Sequence, residues 1–195
     1  MSKFIGTRSE LIQQYGPFIV QQTKGTGILP GTLITQLIVE SSAKYKGSYP
    51  VGGSPLSRNA NNYFGIKCGP GYKGQSYTTR TREETKQGES YYINDCFRKY
   101  SGIEESIKDY IRFLQSNKRY AKAGFFQQKT VEGQFAALKK AGYATGSGYI
   151  KLLTNVYRPL KTQIDNIPTT NEANLGPIVP VIIVLAGIYY IWNKL

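Results

Sequence analysis

Glu40 closes the apolar stretch Leu33-Ile34-Thr35-Gln36-Leu37-Ile38-Val39-Glu40, and the turn Asn61-Asn62-Tyr63-Phe64-Gly65-Ile66-Lys67 follows it in the chain. A carboxyl at the border of an apolar helix face is a candidate general acid, because desolvation disfavours its charged form. Amide and aromatic side chains in a turn offer hydrogen bonds and flat rings, which a sugar-binding cleft needs. The pair points to cleavage of a polysaccharide, a reaction that takes a proton donor for the leaving oxygen and commonly a second carboxylate. Glu83 and Glu84, inside Thr79-Arg80-Thr81-Arg82-Glu83-Glu84-Thr85, are the natural second carboxylates. Glu104, Glu105 and Asp109 read instead as solvated acids at the start of a helix. The chain has no histidine and two cysteines. Ser-His-Asp and Cys-His catalysis, His-ligated metals and four-thiolate zinc are therefore excluded, and no metal or other cofactor is expected.

The elements that must position these residues read as helices around a small irregular insertion. Thr7-Arg8-Ser9-Glu10 is a capping box for a first helix over 7–24, with Gly16-Pro17 expected to kink or split it. A second helix is expected over 32–44, with Leu33, Ile34, Leu37 and Ile38 on its apolar face and Glu40 at the border. Residues 45–100 are rich in Gly, Pro, Ser, Asn and Tyr, with short strand-like runs such as Ser90–Ile93. Helical spacing returns after Ser101, where Ser101-Gly102-Ile103-Glu104 forms a second capping box, and again over 130–141 and 148–157. Helices, a β-rich insertion, then helices make an α+β arrangement with a cleft between two lobes.

The net charge is +13, and all but three of the basic residues lie within 1–157. An anionic partner is implied. The basic residues are scattered, with no Lys/Arg run and no phosphate-binding loop, so nucleic acid is not expected. Cys68 and Cys96 are either two buried thiols or a disulfide suited to an extracytoplasmic or virion setting. Residues 158–174 read as a polar linker. Leu175–Trp192 carries no charge, and a helix of that length spans roughly 27 Å, near the thickness of a hydrocarbon core. Tyr189, Tyr190 and Trp192 cluster at its end like an interfacial belt. The division is thus a catalytic domain over 1–157, a linker over 158–174 and a single-pass membrane anchor over 175–195. No secretory signal is read at the N-terminus.

Several segments together resemble glycoside hydrolase family 73, the bacterial glucosaminidases of the lysozyme-like group. They are Gly27-Ile28-Leu29-Pro30 with Leu33–Ser41, Asn62–Lys67, Phe97-Arg98-Lys99-Tyr100, Arg119-Tyr120, Ala141-Gly142-Tyr143-Ala144-Thr145, and Tyr149 with Leu152-Leu153. The resemblance implies a lysozyme-like, mainly helical domain with a small β-lobe that cleaves β-1,4 bonds after N-acetylglucosamine in peptidoglycan. It implies Glu40 as general acid, favours Glu84 over Glu83 as the β-lobe acid that precedes Gly88 and Phe97, and maps the family's cleft tyrosine onto Tyr143. Asn62, Tyr63, Phe64, Gly65, Lys67 and Tyr149 become candidate substrate contacts. Where the family has Glu-Ser-Gly this chain has Glu40-Ser41-Ser42, a helix end less free to take positive φ. In some members the substrate's own N-acetyl group replaces the second carboxylate. Muramidase or lytic transglycosylase action on the same fold, and a non-catalytic wall-binding role, are the competing expectations. A C-terminal anchor without a leader would leave the domain in the cytoplasm, away from peptidoglycan. A bacteriophage origin resolves this, with the anchor in a virion membrane or the host envelope, and with virion capsid or membrane proteins as further partners.

Overall fold

The computed structural model describes residues 3–84, 90–144 and 146–168. Helix α1 (Arg8–Thr23) starts as its sequence predicts. Thr7 Oγ accepts from Glu10 N and the Glu10 carboxylate accepts from Thr7 N, so two otherwise orphaned amides are satisfied. The helix is not split at Gly16-Pro17: α1 runs through Pro17. Gly16 serves packing instead. A Cβ there would lie 2.9 Å from Ile167 Cδ1, so glycine lets the end of the chain's described portion close onto α1.

Helix α2 (Pro30–Ser41) opens on proline, whose missing N–H costs nothing in the first turn. Every residue from Gly31 to Ile38 is buried. The expectation of a single apolar face was too narrow: this is a helix surrounded on all sides, which its nearly continuous apolar run permits. Leu33, Ile34, Leu37 and Ile38 are sealed from solvent, each contributing about 1.5–3 kcal/mol of burial. Two of its buried hydroxyls turn back on the helix, Thr35 onto Gly31 O and Ser41 onto Leu37 O.

The β-lobe is smaller and more regular than its composition implies. After the short helix α3 (Pro55–Ala60), strands β1 (Ser76–Glu84) and β2 (Ser90–Arg98) pair antiparallel from Ser76↔Arg98 to Glu84↔Ser90. Cys68 and Cys96 are joined in a disulfide, and Cys68 N donates to Cys96 O, fastening the cleft turn to β2. Helices α4 (Ile103–Ser116), α5 (Lys118–Lys122), α6 (Val131–Lys140), α7 (Tyr149–Tyr157) and α8 (Lys161–Asp165) complete the helical lobe, and α1, α6, α7 and α8 all pack on α2. At α4 the predicted capping box is replaced. Gly102 is the cap, and Glu105 rather than Glu104 accepts from Ser101 N and Oγ.

The chain does not become a linker at residue 158. Leu160, Ile164 and Ile167 recur at helical spacing, and Ile164 and Ile167 are buried in the core, so the domain continues to its last described residues. No helix among the described residues is long and apolar enough to cross a membrane. The expected anchor over 175–195 and the end of the expected linker, 169–174, lie outside them.

Candidate active site

Glu40 is the penultimate residue of α2, where the helix emerges from the core, and its side chain is half-buried. Burial pushes its carboxyl up to about 7, a rise that a hydrogen bond from Tyr149 partly offsets. Tyr149 Oη donates to Glu40 Oε1 at 2.9 Å. The helix end needs no glycine. Ser42 caps α2 in the extended region with φ −77°, and its N–H donates to Ile38 O, so Glu40-Ser41-Ser42 closes the helix without strain. Ser41 then holds the following loop, with Oγ accepting from Gly52 N and its carbonyl from Ser54 N. Gly52 has φ +78°, and a Cβ there would sit 2.0 Å from Phe4 O; glycine alone fits.

Tyrosines from separate elements surround the acid. Tyr149 opens α7, and its ring stacks near Tyr143 of the preceding loop at 6.0 Å between centroids. Tyr143 meets Tyr110 of α4 edge-on, and Tyr110 lies flat on Phe64 at 4.0 Å and 5°. Tyr143 Oη donates to Phe64 O at 3.4 Å. Burial raises all three hydroxyls above the ordinary tyrosine range, and the Glu40 charge adds to the effect. They stay neutral at any pH where Glu40 titrates. The turn and the acid are thus linked through aromatic contacts.

The turn's own residues divide sharply. Asn62 and Tyr63 are not placed to touch substrate. Asn62 is 1% exposed, its Nδ2 donating to Ile66 O and Arg98 O and its Oδ1 accepting from Ile66 N. Tyr63 is sealed, its hydroxyl bonded to the Phe4 backbone. Both brace the turn because their polar atoms are consumed inside the fold. Phe64 is also buried and acts through its stack on Tyr110. Gly65, at φ +65°, has open space where a Cβ would be, and Lys67 is exposed in an ion pair with Asp95 at 2.7 Å.

Glu83 and Glu84 lie at the far end of β1, opposite Tyr91 and Ser90. In a regular ladder adjacent positions belong to opposite faces. Position 83 falls on the face of Tyr77, Thr79, Thr81, Tyr91, Ile93, Asp95 and Phe97, which is part-buried or buried toward the base of the lobe and exposed at Tyr91 and Ile93 beside position 83. Position 84 falls on the face of Ser76, Thr78, Arg80, Tyr92, Asn94, Cys96 and Arg98, exposed except at the part-buried Cys96 and Arg98 at the base of the lobe. The register thus places on opposite faces two acids of which the resemblance favours Glu84, and near the strand end the neighbours on both faces, Tyr91, Tyr92 and Ile93, are exposed.

Three contributors were missed. Gln36, one helical turn before Glu40, is sealed in the core; its Oε1 accepts from Tyr110 Oη at 2.6 Å and its Nε2 donates to Tyr149 Oη at 3.3 Å. Its spacing four residues from Glu40 was the available signal. Tyr110 was visible only as an apolar-face residue. Asp109, expected on the solvated side, is buried and accepts from Tyr100 Oη at 2.7 Å and from Arg98 Nη1 at 2.8 Å. Burial acts to raise its pKa, but the bonds from Tyr100 and Arg98 and the Arg98 charge outweigh it and hold the carboxyl below its ordinary range. It anchors the base of the β-lobe to α4.

A 450 Å³ cavity lies between Pro30-Gly31, Val131, Tyr157 and Ile164. It opens at the other end of α2, roughly 15 Å along the helix from Glu40, and carries none of the groups above.

The sequence profile described as mannosyl-glycoprotein endo-beta-N-acetylglucosaminidase, the glucosaminidase family, matches residues 16–162. The chain belongs to the glucosaminidase family. That match contains Glu40, the tyrosines around it and the hairpin. The chain is similar to the peptidoglycan hydrolase FlgJ of Salmonella typhimurium, 31% identical over 150 residues that cover 77% of this chain and 45% of FlgJ. It is similar to the exo-glucosaminidase LytG of Bacillus subtilis, 29% identical over 86% of this chain and 56% of LytG. It thus spans about half the length of these curated relatives. Among solved structures, the catalytic domain of the Listeria monocytogenes autolysin Auto matches with a TM-score of 0.65 and 26% identity, over 85% of this chain and 91% of that one. A peptidoglycan hydrolase mutant from Sphingomonas sp. A1 matches with a TM-score of 0.63 at 23% identity, over 80% and 98%. The fold is the lysozyme-like glycoside hydrolase fold, helical with a small antiparallel sheet, as expected from sequence.

Proposed function

We propose that this chain hydrolyses β-1,4 glycosidic bonds of peptidoglycan as an endo-β-N-acetylglucosaminidase, with Glu40 as general acid. The observation that carries the reading is a carboxyl pushed up to about 7 at the mouth of a tyrosine-lined site, in a chain of the glucosaminidase family. A carboxyl that keeps its proton near neutrality and has no cation beside it is suited to protonate a leaving oxygen. Glu40 gives its proton to the glycosidic oxygen as the C1–O bond breaks. Water then supplies hydroxide to C1, and the proton it releases restores Glu40 or passes to the second group. The family resemblance favours Glu84 for that group, with Glu83 on the opposite face of the strand next, and the substrate N-acetyl oxygen is the competing one. Tyr143 and Tyr149 offer rings and hydroxyls to the sugars.

The test is release of reducing ends from purified peptidoglycan. Glu40→Gln is expected to abolish it while the protein stays folded, and unchanged turnover refutes the assignment. Mass spectrometry of the digest fixes the bond: reducing-end N-acetylglucosamine for a glucosaminidase, reducing-end N-acetylmuramic acid for a muramidase, a 1,6-anhydro product for a transglycosylase. For residues 175–195 the uncharged stretch 175–192 alone supports a membrane anchor, in a phage virion membrane or the host envelope. Liposome flotation of the full chain tests it; a chain that stays with the soluble fraction refutes it.

A further inference from the structure

We infer that Gln36 is a positioning residue that decides which oxygen of Glu40 carries the proton. The inference rests on the reading of Glu40 as proton donor and adds a device that sets its direction. A tyrosine hydroxyl has one proton to give and can rotate to give it either way. Tyr149 lies between two partners, Gln36 Nε2 at 3.3 Å and Glu40 Oε1 at 2.9 Å. An amide nitrogen can only donate, so Tyr149 must accept from Gln36 and spend its own proton on Glu40. The amide itself is held in that orientation by its other end, since Oε1 accepts from the buried Tyr110 hydroxyl at 2.6 Å. Tyr110 is in turn held by its stack on Phe64. The chain of orientation runs from the cleft turn through Tyr110, Gln36 and Tyr149 to Glu40.

For a protonated Glu40, an oxygen already accepting from Tyr149 is the carbonyl oxygen. The proton is left on Oε2, which makes no other hydrogen bond among the described residues. Without Gln36, Tyr149 is free to accept from the acid, and the proton can then occupy Oε1, where it faces Tyr149 and not a leaving oxygen. The neutral acid also gains a state it lacked, and the anion loses an enforced donor. Both effects raise the proton affinity of Glu40. The groups acting electrostatically with Glu40 are Tyr149 of α7, Tyr143 of the preceding loop and Tyr110 of α4. Neither a lysine nor an arginine is among the causes that shift it, and nothing titratable on α1, α6 or α8 registers there.

The experiment is a carbon-13 NMR titration of the Glu40 carboxyl in glutamate-labelled full-length protein, assigned with Glu40→Gln. Gln36→Leu combined with Tyr110→Phe removes both members of the buried pair, so no hydroxyl is stranded and the fold is kept. Gln36→Met, close to glutamine in shape, provides a second background. The inflection is expected to rise by about half to one pH unit in either variant. Tyr149→Phe should raise it similarly, and adding Gln36→Met to Tyr149→Phe should raise it no further. An unmoved inflection in a folded variant overturns the inference, as do shifts from Gln36 and Tyr149 that add. The readout needs no substrate. A shift in a protein that never cleaves peptidoglycan removes the proposed function and keeps the role of Gln36; cleavage with no shift does the reverse.

Discussion

Glu40 should make the folded protein less stable at alkaline pH, and Glu40→Gln should relieve that cost. The folded carboxyl titrates near 7 against an ordinary value of 4.5. The folded state therefore binds its proton more tightly than the unfolded chain. The stability from that proton is fully present below about 4.5 and is lost as pH rises through about 7. The full difference amounts to about 3 kcal/mol at about 1.4 kcal/mol per tenfold in affinity. Because the side chain is only half-buried, solvent screens part of this, leaving about 2–3 kcal/mol. Glutamine is neutral throughout and keeps the oxygen that accepts from Tyr149. Thermal unfolding of both proteins from pH 4.5 to 8.5 is the assay. The two should melt together at pH 4.5, with the variant roughly 5–10 °C higher at pH 8.5 for a domain of this size. A melting difference that is the same at every pH refutes the reasoning, because it shows that Glu40 titrates alike in both states. The same group predicts a basic limb near pH 7 in the rate profile of the active enzyme.

Three further perturbations address the β-lobe and its attachment to α4. Asp109→Asn removes the carboxylate from Arg98, whose side chain is 24% exposed, and should cost about 2–4 kcal/mol in urea unfolding, since a mostly buried charge is left without its partner. Replacing both Cys68 and Cys96 by serine opens a loop with a sequence separation of 28 and should lower stability by about 3–4 kcal/mol on chain entropy, read from denaturation with and without reductant. Glu83→Gln and Glu84→Gln should differ in effect on peptidoglycan turnover because their register positions lie on opposite faces of the hairpin. Loss is expected for Glu84 and near-normal rates for Glu83; equal losses would mean that the face does not matter.

What the sequence made legible was whatever a segment can reveal about itself. The Thr7–Glu10 capping box, the apolar run of α2 and the restart of helical spacing before α4 are local patterns, and each is present. What escaped was set by partners far along the chain. Asn62 looked like a sugar ligand because its type suits that role, yet its amide is consumed by Arg98 O, 36 residues away. Tyr63 is taken by Phe4, at a separation of 59. Asp109 read as a solvated helix acid because its own helix does not show Arg98 and Tyr100. The linker was placed too early because Pro159 and the polar residues around it outweighed the sparse apolar positions 160, 164 and 167. The split expected at Pro17 is absent for a related reason: Gly16 is there for Ile167, which lies at the other end of the domain.

The tyrosine content and the position of the acid share one physical cause. A carboxyl must be desolvated to keep its proton near pH 7, which requires the end of a helix buried on all sides, and α2 meets that requirement. Polar contacts are still needed to hold the carboxyl in place. In a chain of net charge +13 a lysine or arginine was the readily available partner, but a cation within a few ångströms lowers a carboxyl pKa by about 1–3 units and would cancel the desolvation. Tyrosine hydroxyls avoid the conflict. Tyr149 can donate to Glu40 while remaining uncharged, and Tyr110 can fix Gln36 in the same way. Each ring also provides a flat face, either for packing in the lobe or for a sugar. The cations instead occupy positions where an anion is welcome, Arg98 on Asp109 and Lys67 on Asp95. Among the described residues, the segregation of charge from the immediate surroundings of Glu40, more than the presence of the glutamate itself, is what lets the carboxyl hold its proton up to about 7.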